Sequence, residues 1–255
     1  MLDRAPTQLI PPLRARLVGH GRVAATALGL RHRAFFGSSG SDRDEFDLDF
    51  NHLVIERPGG GAEGCCRLRV FGSGAAATQG YAAQFYDLSS LASFSAPVLE
   101  LGRLCIAPGA DAVAVLRMIW AELTRIVDRQ GVELLFGCAS FAGADPARHA
   151  PAFSLLAERY LAPAAWAPLK AGRGRFLLRD VAPPAGSNAA RAAHAAMPPL
   201  LRSYLAMGGR VGRHGVIDRQ MGTCHVFTGV EVAAIPKARK RLLRADALDS
   251  AGPLL

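Results

Sequence analysis

Glu100 and Arg103 stand three residues apart in Leu99-Glu100-Leu101-Gly102-Arg103-Leu104-Cys105-Ile106, an otherwise apolar run. Burying an unpaired charge is costly or shifts its pKa, so charges in such a strand point to a partner or to chemistry. In a regular strand this spacing puts the two side chains on opposite faces, one toward a cleft and the other bracing the fold. A carboxylate in apolar surroundings, here Glu100, suits proton transfer or a simple ion pair with Arg31, Arg67 or Arg103. Arg31, Arg67, Arg103, Asp44 and Asp47 complete a charged set spread over the first 103 residues. An Arg fork grips both oxygens of a carboxylate and an Asp suits an ammonium. The same five residues equally suit an internal ion-pair network.

Weaker candidates stand outside this set. His149, at the start of a helix, suits substrate orientation or simple packing, and Tyr160 suits leaving-group protonation or packing. Phe94, Trp120 and Phe141 are apolar enough to line a channel or to fill a core. The five cysteines (Cys65, Cys66, Cys105, Cys138, Cys224) show neither metal-ligand spacing nor a disulfide framework, so buried free thiols are expected. No activating base for Cys138 is visible.

These residues need a scaffold. The pattern predicts a strand over Leu13–Val18, a helix over Ala24–Phe36, and an acidic turn from Asp44 feeding a strand that ends near Ile55. Gly59-Gly60-Gly61 turns that strand into a hairpin with Cys65–Phe71. Asp111 is a plausible N-cap, Leu116, Ile119, Leu123 and Ile126 form an apolar stripe, and Gly131 closes the helix. Val132–Ala139 then reads as a buried strand, so the strand-helix-strand unit implies a right-handed parallel pair. Asp145-Pro146 opens another helix, 182–196 reads as a connection, Pro198–Met207 as a short helix, and Val211–Val232 as two closing strands. The expected architecture is an α/β single domain spanning 1–255, with its core about 13–232 and a basic tail at 233–255.

At 255 residues and 50% hydrophobic, the chain can bury a large core. No run reaches the roughly 18 apolar residues of a membrane span, and no signal-type apolar segment marks the start, so a cytoplasmic location is expected. The net charge of +9 concentrates in Lys237-Ala238-Arg239-Lys240-Arg241-Leu242-Leu243-Arg244. No nucleic-acid motif or interleaved aromatic accompanies it, which argues against nucleic acid. An anionic membrane, peripheral at the inner face, or an acidic carrier protein is the expected partner, with a solvated tail as the bland alternative.

Several segments occur in a telling order: Asp44-Glu45-Phe46-Asp47, His52-Leu53, Cys66-Arg67-Leu68, Gln84-Phe85-Tyr86-Asp87-Leu88, Leu99-Glu100-Leu101-Gly102-Arg103, Gly137-Cys138-Ala139-Ser140-Phe141, His149-Ala150 and Pro198-Pro199-Leu200-Leu201. The chain from about 13 to 232 thereby resembles the L-ornithine Nα-acyltransferases of ornithine-lipid synthesis. These are also called hemolysin-like and belong to the acyl-carrier-protein-dependent GNAT branch related to autoinducer synthases. The resemblance implies a GNAT-like mixed sheet flanked by helices, with the parallel pair bridged by a helix. It implies transfer of a 3-hydroxyacyl group from acyl-carrier protein to the α-amine of ornithine, without a resident cofactor. It assigns Glu100 as base, Arg31, Asp44, Asp47, Arg67, Arg103 and His149 to substrate binding, and Phe94, Trp120 and Phe141 to the acyl channel. Gly37-Ser38-Ser39 stands where autoinducer synthases usually carry Trp, and Ala107-Pro108-Gly109-Ala110-Asp111 lacks a Gly-rich pyrophosphate loop. A signal-lactone synthase, an acyltransferase for another amino acid, and a non-catalytic membrane-binding module are the rival readings.

Overall fold

The computed structural model describes residues 12–19, 21–181 and 189–249. Eight strands form one sheet in the order β1-β2-β3-β4-β5-β8-β7-β6. They are β1 (Arg14–Val18), β2 (Asn51–Glu56), β3 (Ala62–Phe71), β4 (Val98–Ile106), β5 (Leu134–Ala142), β6 (Arg175–Leu177), β7 (Arg210–Asp218) and β8 (Thr223–Glu231). The helices are α1 (Ala25–Phe36), α2 (Ala112–Gln130), α3 (Ala150–Arg159), α4 (Ala189–Ala196), α5 (Pro199–Ala206) and α6 (Lys237–Asp249). Only β4 and β5 pair parallel, and α2 bridges them, so the fold is the mixed α/β sheet expected.

Local chemistry explains these elements. The Asp111 carboxylate accepts the Val113 and Ala114 N–H groups, capping α2, and the chain leaves that helix at Gly131. The predicted stripe on α2 packs Ile119, Leu123 and Ile126 against Leu99 and Leu101 of β4. Alternation does the rest: Leu99 and Leu101 face α2, while Glu100 lies on the other face with its register partner Arg69 of β3.

Two features of β4 set up the site. Its pairing with β5 ends at Glu100–Phe136, although both strands run on, so from Leu101 onward the β4 edge facing β5 is open. At the point of parting, Gly137 lies so close to the Leu101 carbonyl that a Cβ would overlap it. The second feature is a bulge: Arg67 pairs with Gly102 but Cys65 pairs with Cys105, leaving one extra residue on β4. Arg103 takes it up at φ 51, the one positive φ outside glycine among the described residues. The bulge overturns the opposite-face expectation, because Arg103 reaches the same Tyr81 whose backbone holds Glu100.

Three further segments differ from the sequence reading. Ala189–Ala196 is helical where a connection was expected, and 182–188 lies outside the described residues. The three-residue β6 had no sequence signal and exists by pairing with β7. The expected basic tail is mostly the helix α6, tied to α2 by Arg117–Asp246 at 2.6 Å and Arg244–Asp128 at 2.8 Å; 250–255 lies outside the described residues.

Candidate active site

Glu100 is 2% exposed and makes no ion pair among the described residues. Its carboxylate accepts the backbone N–H of Tyr81 at 3.0 Å and of Ala82 at 2.6 Å, from the short helical turn 81–84. That turn approaches so closely that a Cβ on Gly80 would overlap Oε2. Burial pushes the carboxyl up to about 7, against the lowering effect of the two N–H groups and the charges of Arg67 and Arg69. A carboxyl that titrates near neutrality and keeps free lone pairs is equipped to take a proton.

Beside it the charges settle among themselves. Arg31 donates to Asp42 at 2.7 Å and to Asp47 at 2.5 Å, and Arg67 donates to Asp47 at 2.9 Å and to Asp44. Arg103 reaches Asp44 at 3.2 Å and lies 3.4 Å from Asp42. Asp44 and Asp47 also form a capping box on the turn 45–47, and His52 Nε2 donates to the Asp47 carbonyl at 2.9 Å. Burial alone would push the Asp47 carboxyl up, but Arg31, the Asp44 N–H and Arg67 together hold it below the usual range.

Three guanidiniums thus meet three carboxylates, and their burial separates framework from surface. Arg31 and Arg67 are 1% exposed and Asp47 is sealed, so these three brace the site rather than open onto a ligand. Asp44 and Arg103 are partly exposed and face the opening. Of the residues expected to contact substrate, Arg31, Asp47 and Arg67 have almost no exposed surface, whereas Asp44 and Arg103 keep some. Asp42, which the sequence reading missed, is an equal member; the acidic spacing Asp42, Asp44, Asp47 was its only signal.

On the same face of the sheet, β5 presents half-buried Cys138 and exposed Ser140, and β8 presents His225 opposite Ser140. Tyr81, Phe85, Arg103 and Met221 gather on this face: Tyr81 meets Phe85 and Arg103, and Arg103 Nη1 lies 3.5 Å from Met221 Sδ. Burial pushes the Cys138 thiol well up, so it is no thiolate nucleophile at neutral pH.

The opposite face carries a mostly apolar pocket, about 800 Å³ when the open solvent at its mouth is counted. Leu101, Gly137 and Thr228 line it at the strands' parting, Trp120 and Met207 line it elsewhere, and exposed Asp128 and Arg244 stand at the rim. Trp120 meets Tyr204 edge-on at 5.6 Å, and Tyr204 was not anticipated from sequence. Phe94 and Phe141, expected in a channel, do not line this cavity. Phe94 packs against the Phe50–Phe71 cluster on the Glu100 face, and Phe141 against Phe153 at 4.7 Å. His149 meets Phe141 at a tilt, 5.1 Å between rings, and bonds the Ala142 carbonyl, and Tyr160 packs in the same cluster; neither contacts the charged set. The five thiols are free, four of them buried as expected.

A buried carboxyl lies on one face, an apolar pocket on the other and an open strand edge between them. Residues 22–121 match a family described as an acetyltransferase (GNAT) domain. An L-ornithine N(alpha)-acyltransferase of Brucella abortus is 31% identical, covering 86% of this chain and 84% of that protein. Another, from Rhodobacter capsulatus, is 33% identical over 78% of each. The fold is shared with BjaI, a CoA-dependent acyl-homoserine lactone synthase solved with SAM and isopentyl-CoA (TM-score 0.51, 11% identity, covering 94% of this chain and 90% of that one). With identity above 30% across most of its length, this chain is an acyltransferase and belongs to the L-ornithine N(alpha)-acyltransferase family.

Proposed function

We propose that this enzyme moves a 3-hydroxyacyl group from acyl-carrier protein to the α-amine of ornithine, giving a lyso-ornithine lipid. The observation that carries the reading is Glu100, buried and unpaired with any cation, at the last β4–β5 pair before the strands part beside the apolar cavity. In this mechanism the fatty chain lies in the cavity and the thioester carbonyl meets backbone N–H groups on the open β4 edge. Glu100, directly or through water, removes a proton from the α-ammonium. The amine then attacks the carbonyl carbon, the C–S bond breaks, and the second amine proton passes to the departing thiolate.

The head of α2 favours a carrier protein over a nucleotide donor. Its first N–H groups are already taken by the Asp111 carboxylate, which would repel a pyrophosphate. A phosphopantetheine arm makes no such demand. The reading also places α6 against the inner face of the cytoplasmic membrane. Its outer side carries Lys237 and Arg241 with exposed Leu242 and Leu248, next to the mouth through which an acyl product would leave. No helix among the described residues is long and apolar enough to cross a membrane.

Incubating the purified protein with 3-hydroxyacyl-carrier protein and ornithine, with an acyl-CoA arm alongside, is expected to yield N-(3-hydroxyacyl)ornithine by mass spectrometry. Acylation of no amino acid in a panel, with charged carrier protein present, would overturn the reading.

A further inference from the structure

If the amine is activated at Glu100, the other end of a diamino acid also needs a partner. The cluster's carboxylates are already engaged: Asp42, Asp44 and Asp47 each face guanidinium groups. Among the described residues, two buried side-chain acceptor atoms lack a hydrogen bond, Glu63 Oε2 and His225 Nε2. Glu63 lies at the far hairpin and is paired with Arg57 through its other oxygen. His225 is 3% exposed and lies on β8, on the sheet face that carries Cys138 and Ser140.

The tautomer of His225 follows from its neighbour. The Tyr86 hydroxyl lies 3.0 Å from His225 Nδ1 and 3.0 Å from the His225 carbonyl. A carbonyl only accepts, and the phenol has one hydrogen, so that hydrogen goes to the carbonyl and Nδ1–H donates to the phenol oxygen. Nε2 is left with a lone pair. Burial lowers the imidazole to about 4, which keeps it neutral and accepting at physiological pH.

The surroundings favour a cation. The Phe85 ring stands 4.7 Å from the imidazole, and Tyr81 stands 5.5 Å from Phe85, so aromatic walls run from His225 back to the turn that holds Glu100. The Asp218 carboxylate acts on His225, Tyr81 and Cys138 alike. It has no ion pair among the described residues and accepts the Met221 N–H at 3.0 Å. Ser140, opposite His225 on β5, is exposed, so solvent reaches the strand beside it.

We propose that His225 Nε2, with Asp218 and the Tyr81–Phe85 walls, forms the subsite that receives the side-chain ammonium of the acceptor amino acid. This assignment rests on the N-acyltransfer reading above. It makes His225 a specificity residue: an acceptor without a terminal ammonium leaves a buried lone pair unmet, which a site of this kind penalises.

The test compares ornithine with norvaline, which keeps the carbon chain but lacks the ammonium. Wild-type kcat/KM should favour ornithine by roughly 10- to 100-fold, the range of a hydrogen bond to a charged group. His225→Asn retains a donor for Tyr86 and removes the Nε2 acceptor. It should lower ornithine kcat/KM by more than that of norvaline and so erase most of the preference, and His225→Gln, which restores an acceptor, should recover part of it. Calorimetric binding of both amino acids to folded His225→Asn, without acyl donor, should show the same loss of discrimination. Unchanged discrimination in His225→Asn, or an equal fall for both amino acids, would overturn the subsite. A wild type that uses both equally would do so too, whereas a wild type inactive on every amino acid would overturn the acyl-transfer reading itself.

Discussion

Replacing Glu100 by Gln is expected to lower kcat/KM for amine acylation by about a thousand-fold, within the range for loss of a general base. The carboxylate is held by the Tyr81 and Ala82 N–H groups and has no counter-ion, so its removal breaks no salt bridge. Gln presents one oxygen and one NH2 to two donors, so one of those bonds is lost, while a desolvated charge is removed as well. The pH dependence separates chemistry from folding. Wild-type kcat/KM should rise through an inflection near 7, where Glu100 ionises, and that inflection should be missing from Glu100→Gln. Stability should move the other way. The folded carboxyl titrates near 7 against an ordinary value of 4.5, so the folded state binds its proton more tightly. The stability this gives is fully present below about 4.5 and is lost as pH rises through about 7, in total about 3 kcal/mol. Denaturant melts of wild type and Glu100→Gln at pH 5 and pH 8 measure the difference. Near-normal turnover in the variant would remove Glu100 from the role of base.

Replacing Asp47 by Asn is expected to be the most damaging change to the fold around the site, costing about 3–5 kcal/mol. Asp47 is sealed and accepts from Arg31, Arg67 and the Asp44 N–H, and the neutral amide would leave two guanidiniums at 1% exposure short of a counter-charge. Its partners hold the carboxyl below the ordinary value of 3.8, so its stabilisation is present above that pH and is lost as pH falls below it. Urea unfolding at neutral pH checks the magnitude. Activity should fall together with stability here, because Asp47 positions Arg67 and the turn bearing Asp44 without reaching the cleft. A cost below about 1 kcal/mol would show that the cluster is a solvated surface network rather than a brace.

The parts of the molecule legible in its sequence are those with local causes. Helix α2 was readable because an N-cap, a 3.6-residue stripe and a closing glycine agree over 19 residues. The hairpin and the parallel pair followed from strand patterns with turn signals between them. What stayed hidden depends on distant pairing. Gly102 stands beside the bulge at Arg103 but does not by itself announce one, and the bulge arises from the register of β3 against β4. That single extra residue moves Arg103 onto the face of Glu100, which spacing alone had denied.

The residues of the site divide in the same way. Glu100 stood out because a charge in an apolar strand is anomalous, whereas its partners are backbone groups in a turn some 18 residues earlier. His225 sits within a strand that reads as ordinary core, and its tautomer is set by Tyr86, 139 residues away in the chain. Phe94, Trp120 and Phe141 were equivalent as aromatic candidates, and only packing against α5 and α6 puts Trp120 on a cavity. Helix α6 read as a charge run because Leu243 and Ala247, which seat it on α2, are few among many cations.

The most direct measurement of the central claim is a structure of the protein with ornithine and a non-transferable acyl-pantetheine analogue. The account predicts the fatty chain between α2, α5 and the sheet, and the thioester mimic at the open β4 edge past Glu100. It places the α-nitrogen within hydrogen-bond reach of the Glu100 carboxylate, about 3 Å directly or through one water. An amine bound away from Glu100, or an acyl chain outside the cavity, would contradict it.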